Sequence, residues 1–390
     1  MKVEKLKSNI IREIDKKSQS FAELTLKIHA HPELGFKEVK ASNWLTQCLE
    51  ENDFSIEKGI CGLDTAFKAR YGQEKPRIAI LAEYDALPNL GHACGHNLIG
   101  TCAVAAGVAA RQAIDQFGGS ILIIGTPAEE LYGGKIIMAK REAFKDLDAA
   151  MMVHPGTRDN ALTRALACQG IEVEFIGKAA HAAARPEDGV NALEAMLQSF
   201  VAINSLRQHI WRTSRIHGII TDGGEAPNVV PARSAGTFLV RTRDDAYLDQ
   251  LKEKVLNCFI GAATASGAEL KYKWDDERYA PMRNNMPLAH LFAENMQSLE
   301  RKVALRQPDY GFGSTDMGNV SQLVPSIHPH VSIAKTNTAI HSPEFAEAAA
   351  SEKGIKGMLD SAKTLAMIVA DLVANPDTIA SVKEDFEHKI

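Results

Sequence analysis

The sequence lacks the features of a disulfide-stabilised protein. Its only cysteines are Cys48, Cys61, Cys94, Cys102, Cys168 and Cys258. They have no paired spacing, so we expect free thiols in a reducing compartment unless one of them binds a metal or reacts. Only Cys94 lies among other chemically active side chains.

Long runs of one charge and long apolar runs are also absent. The formal net charge is -5, and no basic run marks a partner with a phosphate backbone. The first twenty residues carry charges every few positions, and no segment approaches the roughly eighteen apolar residues of a membrane span. We therefore expect a cytoplasmic protein that binds neither nucleic acid nor a membrane.

The composition is that of a globular protein, with 45% hydrophobic and 24% charged residues. A chain of 390 residues exceeds what one hydrophobic core usually supports, so two domains are expected. Apolar runs at 77–87, 120–130 and 149–156 alternate with predicted helices, after helices predicted at 4–30 and 37–51. This alternation predicts an α/β fold, with a mostly parallel sheet covered by helices on both faces.

The pattern changes near Cys168, where the order becomes strand, helix, two strands, helix and strand. That order is typical of a split βαβ (ferredoxin-like) domain inserted into the first fold. We predict a first segment at 1–167, an inserted domain at 168–286 and a second segment of the first domain at 287–390. The last segment is predicted to contain a loop, "GFGSTDMGN", and a long final helix over 351–374.

Residues able to bind a metal follow four of the apolar runs. They are Cys94 and His96, Glu129 and Glu130, His154, and His341. A single histidine or glutamate after a strand is more often solvated or capping, but the coincidence at four comparable positions favours a site for zinc or a similar divalent ion. The adjacent glutamates support this interpretation, because like charges disfavour joint ionisation without a cation.

Several motifs resemble one enzyme family. They are "AEYDALP", "GHACGHN", "GTPAEE..GG", "VHPG", "GKAAHAAARPEDGVNAL", "NVVP", "GSTDMGN" and "HSPEF". Together they resemble the aminoacylase and aminobenzoyl-glutamate hydrolase branch of the metallopeptidase family that includes succinyl-diaminopimelate desuccinylase and plant auxin-conjugate amidohydrolases. Within this branch the motifs are most similar to those of the aminobenzoyl-glutamate hydrolase subunit and the β-alanyl-dipeptide hydrolases.

The resemblance implies a site with two divalent ions. Its implied ligands are Cys94, His96, Glu130, His154 and His341. Glu129 matches the family's general base, and Asp85 matches the aspartate that orients a metal-binding histidine. The chain departs from many auxin-conjugate enzymes at Asn97, where they have aspartate, and at Ile99, where they often have histidine, so the resemblance says less about the substrate.

The resemblance also assigns roles in the inserted domain. The inserted domain would act as a lid and dimerisation domain, in a homodimer or homotetramer. His181 matches a lid histidine that reaches the partner subunit's active site and donates to the developing oxyanion. Asn228 and Arg241 resemble residues that hold the substrate's carboxylate, although Arg241 is equally well explained as an exposed cation at a strand end. Ser314 and Thr315 are expected to line the pocket.

The implied function is a metal-dependent amidohydrolase or dipeptidase acting on a small dipeptide or an N-acyl or aminobenzoyl amino acid. Zinc or manganese is expected, with cobalt also suitable for these ligands. One alternative is a thiol hydrolase with Cys94 as nucleophile and His96 or His92 as base. Another is a non-catalytic, metal-dependent binding protein, against which Glu129 argues because binding alone needs no base. Nucleotide binding is least favoured, since "GFGSTDMG" misses the G-x-G-x-x-G spacing.

Overall fold

The computed structural model describes residues 2–308 and 313–388, which form two compact units. Unit 1 comprises residues 2–164, 282–308 and 315–388 of the described chain. Unit 2 comprises residues 165–281 together with 313 and 314. The chain therefore leaves unit 1 after Arg164 and returns to it at Met282.

A six-stranded sheet forms the centre of unit 1. Its strands in spatial order are β1 (Ser55–Lys58), β2 (Phe67–Gly72), β4 (Ser120–Gly125), β3 (Arg77–Ala82), β5 (Ala149–Met151) and β11 (Ser326–Ile327). The last four are parallel, whereas β1 and β2 pair antiparallel with their neighbours. The predicted mostly parallel α/β sheet is confirmed. The antiparallel edge was not predicted from the sequence, and it carries more exposed side chains than the buried runs of β3 and β4.

A second, two-stranded parallel sheet in unit 1 joins β6 (His154–Gly156) to β12 (His330–Ser332). The helices of unit 1 are α1 (Lys2–Lys16), α2 (Ser18–His29), α3 (Val39–Glu50), α4 (His96–Phe117), α5 (Glu129–Tyr132), α6 (Gly134–Lys140), α9 (Met286–Ser298), α10 (Met317–Leu323), α11 (Pro343–Ala349), α12 (Glu352–Ala374) and α13 (Pro376–Glu387). The largely buried α4 and α12 pack on each other. At Gly100 a Cβ would lie 2.9 Å from the carbonyl oxygen of Glu83, so glycine lets α4 approach the end of β3 closely.

Three details of the helices differ from the sequence predictions. The helix expected over 4–30 is divided at Lys17 into α1 and α2. Part of the expected loop "GFGSTDMGN" forms the start of α10, while Gly311 and Phe312 of that loop lie outside the described residues. The final helix over 351–374 is confirmed as α12, but a further helix follows because Asn375 caps α13 and Pro376 suits its first turn.

No single helix in the described ranges is long and apolar enough to cross a membrane. The pair α12 and α13 meets that length and composition test only when taken together, and it is bent by 103°.

Unit 2 contains one antiparallel sheet and two long helices. The sheet has the spatial order β10 (Glu269–Tyr279), β7 (Ala167–Ile176), β9 (Arg233–Thr242) and β8 (Arg215–Asp222). Helix α7 (Ala192–Leu206) follows β7, and α8 (Asp245–Ser266) follows β9. Both helices begin at side-chain caps, Asn191 and Asp244. Alternate residues of the central strands, such as Val173 and Phe175, belong to the core of this unit.

Candidate metal centre and active site

The five predicted metal ligands lie together in unit 1. Cys94 Sγ is 3.4 Å from His154 Nε2, and Glu130 Oε1 is 3.3 Å from His341 Nε2 and 3.8 Å from His96 Nε2. The ligand atoms of Cys94, His96 and His154 lie within 4.8 Å of one another. The same is true of the ligand atoms of Cys94, Glu130 and His341. Cys94 belongs to both sets, so it lies where a ligand shared by two ions would be.

Unusual backbone conformations at the strand ends bring these residues together. Gly95 has φ +83°, and a Cβ there would lie 2.8 Å from Pro155, so glycine allows the turn that presents both Cys94 and His96. His341 itself has φ +65°, and its backbone N–H donates to the Ala93 carbonyl at 3.0 Å. This bond ties the segment before α11 to the turn before α4.

Asp85 contacts two of the predicted metal ligands, His96 and Glu130. Its Oδ1 lies 2.9 Å from His96 Nδ1, and its Oδ2 accepts from the Glu130 backbone N–H at 3.0 Å. Burial raises the pKa of Asp85, but the charge and hydrogen bond of His96 outweigh it, so the pKa lies below its ordinary value. His96 Nε2 faces the other ligands, and it has no hydrogen-bond partner among residues 2–308 and 313–388. A metal ion would satisfy that buried nitrogen.

The electrostatics of the donor set suit a divalent ion. Burial, followed by the charge of His96, lowers the pKa of His154 to about 4, so its imidazole is neutral at pH 7. Burial raises the pKa of Glu130, but the adjacent His341, whose Nε2 lies 3.3 Å from Oε1, and the charge of His96 bring the pKa below its ordinary value. Burial raises the pKa of Cys94 well above its usual range, and a nearby cation is what favours the thiolate. The neutral imidazole of His154, the carboxylate of Glu130 and a thiol that can ionise fit the implied ions.

Glu129 lies at the border of two clusters. Its carboxylate groups with His96 and Glu130 on one side, and with Glu83 and Asp316 on the other. Burial and the charges of these carboxylates raise its pKa well above the ordinary value. A carboxylate with such a raised proton affinity beside the ligand set is suited to accept a proton from a water molecule.

The sequence analysis assigned no role to several buried polar residues of this site. Lys135, Glu83 and Asp316 form a network of ion pairs next to Glu129. The rings of His328 and His330 lie 5.5 and 5.3 Å from that of His154, between ring centroids. Glu83 and Asp316 lie within the motifs "AEYDALP" and "GSTDMGN", which were the available signal for them.

The other predicted site residues belong to separate parts of the chain. In unit 2, His181 pairs with Val229 in a β-bridge, and the Asn228 carbonyl accepts from Ala182 N–H at 3.0 Å. The sequence motifs of His181 and Asn228 are therefore neighbours. Asn228 is exposed, and His181 Nδ1 accepts from the backbone of Ala184 at 3.1 Å.

Arg241 lies opposite Cys168 in the pairing of β9 with β7, and Arg241 and Ser314 both interact with the Cys168 thiol. The buried Arg241 Nε has no hydrogen-bond partner within the described part of the chain. Thr315 belongs to unit 1, where its hydroxyl accepts from Met317 N–H at 3.3 Å.

Asn97, where the chain departs from the auxin-conjugate enzymes, has a structural role. Its Nδ2 donates to Thr25 Oγ1 and to the Ala349 carbonyl, each at 3.1 Å. Aspartate could not donate these hydrogen bonds. The side chain of Asn97 therefore joins α4 to α2 and to the end of α11 by hydrogen bonds.

Proteins of known sequence resemble this chain over most of its length. Residues 168–262 match the model of the peptidase dimerisation domain. The chain is 35% identical over its whole length to the Xaa-Arg dipeptidase of Mus musculus, of which the match covers 94%. It is also 34% identical to a p-aminobenzoyl-glutamate hydrolase component of Escherichia coli, over 69% of this chain and 61% of that protein.

A solved structure has the same fold. A dinuclear metal-binding peptidase of the M20 family from Bacillus subtilis matches with a TM-score of 0.70 and 21% identity, over 92% of this chain and 99% of that one. The dipeptidase match spans the whole chain. The chain belongs to the M20 family of metallopeptidases, metal-dependent enzymes that hydrolyse amide bonds.

Proposed function

We propose that this enzyme hydrolyses the single amide bond of a small dipeptide, an N-acyl amino acid or an aminobenzoyl amino acid. The observation that carries the proposal is the position of Glu129, whose carboxylate lies within 4.8 Å of ligand atoms of His96 and Glu130. The names of the relatives, an Xaa-Arg dipeptidase and a p-aminobenzoyl-glutamate hydrolase, support these substrate classes.

Two divalent ions would be held by the five predicted ligands, Cys94, His96, Glu130, His154 and His341. Zinc is favoured by the soft sulfur ligand, while the nitrogen and oxygen ligands would also suit manganese or cobalt. Such ions polarise an amide carbonyl and lower the pKa of bound water.

The residues of unit 1 would handle the protons of the reaction. Glu129 would accept a proton from the attacking water and return it to the nitrogen of the leaving amine. Asp85 would keep the His96 imidazole in one tautomer and orientation through the contact at Nδ1. The Asp85 contact to the Glu130 backbone would keep the two glutamates in place at the start of α5.

For unit 2 the proposal follows the family resemblance. His181 would donate to the developing oxyanion in the partner subunit, and Asn228 and Arg241 would hold the substrate's carboxylate. Support comes from the buried Arg241 Nε, which has no hydrogen-bond partner in the described ranges. Ser314 and Thr315 would line the pocket.

The same resemblance gives each segment of the chain a role. Residues 168–286 would act as the lid and dimerisation domain of a cytoplasmic homodimer or homotetramer. Residues 1–167 and 287–390 would form the catalytic domain. The matched dimerisation domain supports an oligomer.

The test is amine release from a panel of substrates: dipeptides with and without C-terminal arginine, β-alanyl dipeptides, N-acetyl amino acids and aminobenzoyl-glutamate. Protein stripped with a chelator would be assayed alone and after addition of zinc, manganese or cobalt. We expect turnover of one class, restored by metal. Activity that survives chelation and is abolished by thiol alkylation would instead favour Cys94 as a nucleophile. No turnover of any panel member with any of the metals would contradict the proposal.

A further inference from the structure

We propose that Lys135 is a positioning residue, whose ammonium group acts as the built-in cation of the carboxylate cluster formed by Glu83, Glu129 and Asp316. In this role it keeps Glu129 free for proton transfer instead of metal binding. The inference rests on the proposed function of Glu129 as a base. Lys135 is not one of the predicted metal ligands, and the family motifs give it no role.

Lys135 is a cation buried away from solvent and paired with carboxylates. Its side chain is fully buried, as are those of Glu83 and Asp316. Its Nζ pairs with Glu83 Oε1 and lies 2.9 Å from Asp316 Oδ1, while its backbone N–H donates to Asp316 Oδ2 at 2.9 Å. Lysine is almost never fully buried unless it is paired. The three groups therefore hold one another in a fixed arrangement.

The local sequence explains how Lys135 reaches this position. At Gly134 a Cβ would lie 1.8 Å from the Pro127 carbonyl oxygen, so only glycine lets α6 start this close to the turn before Glu129. The Gly134 N–H donates to the Ala128 carbonyl at 3.2 Å. The turn that carries Glu129 and the helix that carries Lys135 are thus joined through their backbones.

Glu129 and Glu130 are adjacent in sequence but differ in their neighbours. Glu130 Oε1 faces the imidazoles of His96 and His341. Glu129 also belongs to the carboxylate cluster, whose oxygens lie within 4.8 Å of one another. Glu83 Oε2 in turn lies 3.5 Å from His96 Nε2, so the cluster directly adjoins the metal ligands.

This arrangement requires a positive charge. Three carboxylates at this spacing repel one another strongly in a desolvated site and would otherwise attract a metal ion. The ammonium group of Lys135 balances the charge of these carboxylates. Unlike a metal ion, it offers no open coordination position. Because Lys135 compensates this cluster, no additional metal ion binds Glu129 there, and its carboxylate remains available beside His96.

The test compares Lys135→Met, which removes the charge at similar length, with Lys135→Arg, which keeps it. The control is Lys145→Met, which removes an exposed lysine that pairs with Glu142 at 3.2 Å. Each full-length protein would be stripped with a chelator and dialysed against zinc or manganese. Bound metal would be counted by elemental mass spectrometry, and kcat and KM would be measured separately.

We expect Lys135→Met to bind one more divalent ion per chain than the wild type and to lose roughly 100-fold in kcat with little change in KM. Lys135→Arg and the control should bind the wild-type amount of metal. An unchanged metal content in Lys135→Met, a kcat within about threefold of wild type, or an extra ion in Lys135→Arg would each overturn the proposal.

If Lys135→Met does not fold, the double variant Lys135→Met/Asp316→Asn restores the net charge of the cluster. It should fold and still show the low kcat, and a wild-type kcat in it would overturn the proposal. The metal count does not depend on turnover. A wild-type enzyme that cleaves no substrate in the panel would therefore refute the proposed function while leaving the metal count as the test of Lys135.

Discussion

The carboxylate of Asp85 holds the imidazole of His96 in one orientation, with 2.9 Å between Oδ1 and Nδ1. The other oxygen of Asp85 accepts from the backbone N–H of Glu130, so one carboxylate contacts two of the predicted metal ligands. In the proposed site the buried Nε2 of His96 would bind the metal, so metal affinity should depend on this contact.

Asp85→Asn should therefore weaken metal binding by roughly 10- to 100-fold, because the amide keeps the shape but loses the charge that fixes the tautomer. Competition with a chromophoric chelator measures this affinity. Asp115→Asn is the control, since the carboxylate of Asp115 accepts only a surface bond from Tyr71 among its described hydrogen bonds. Equal metal affinity in Asp85→Asn and wild type would exclude an orienting role for Asp85.

Glu129→Gln should keep its bound metal and lose turnover by a factor of about 100 to 10,000, the range expected when a general base is removed. The amide is similar in size but cannot accept the proton. Metal content and kcat measured on the same preparation separate this result from damage to the site. Near-normal turnover would remove Glu129 from the mechanism.

Glu38 makes stability depend on pH. Its carboxylate accepts from Ala128 N–H at 2.8 Å and from Thr65 Oγ1 at 2.9 Å, and burial is the main cause that raises its pKa from 4.5 to about 7. A raised pKa means that the folded state holds the proton more tightly than the unfolded state. The contribution of Glu38 is thus fully present below about pH 4.5 and is lost as the pH rises through about 7.

Glu38→Gln should remove this dependence, because the amide stays neutral, accepts from Ala128 N–H through its oxygen and can donate to the Thr65 hydroxyl through its nitrogen. A shift of this size corresponds to about 3 kcal/mol between the two ends of that pH range. The measurement is the free energy of unfolding of both proteins at several pH values between 4 and 8. The advantage of wild type over the variant should fall as the pH rises, and a constant difference would contradict the prediction.

Asn97→Asp should destabilise the protein, because aspartate cannot donate to Thr25 Oγ1 and the Ala349 carbonyl. A buried acceptor left unpaired costs about 1–3 kcal/mol, and a buried charge costs more. Asn191→Asp is a matched control, since Asn191 caps α7 by accepting a bond and aspartate does so equally well. Thermal denaturation of the two variants should show a loss only in Asn97→Asp.

His181→Ala and Glu129→Gln subunits should complement each other when mixed. If His181 acts in the partner's active site, a mixed dimer contains one site with both wild-type residues. Activity should appear on mixing two inactive proteins after subunit exchange, up to about a quarter of the wild-type value for random pairing of equal amounts. Absence of recovery in demonstrably mixed dimers would show that His181 does not act between subunits.

Much of this protein was predictable from sequence because the information is local. The buried runs of β3 and β4 and the turns after them contain their ligands within a few residues, so the α/β pattern and the set Cys94, His96 and Glu130 could be inferred. The same pattern of ligands after apolar runs included His154 and His341, and the family motifs then implied that all five bind metal. These predictions depend on periodicity and short spacing, which the chain carries without reference to its tertiary structure.

The tertiary structure alone decided the features built from distant residues. Lys135 and Asp316 are separated by 181 positions, and Asn97 and Ala349 by 252, so no local pattern predicts these contacts. The antiparallel edge of the sheet was missed for a similar reason, since pairing depends on which strand is adjacent. A buried charge is stable only where the fold supplies its partner, and that partner is determined by packing in three dimensions.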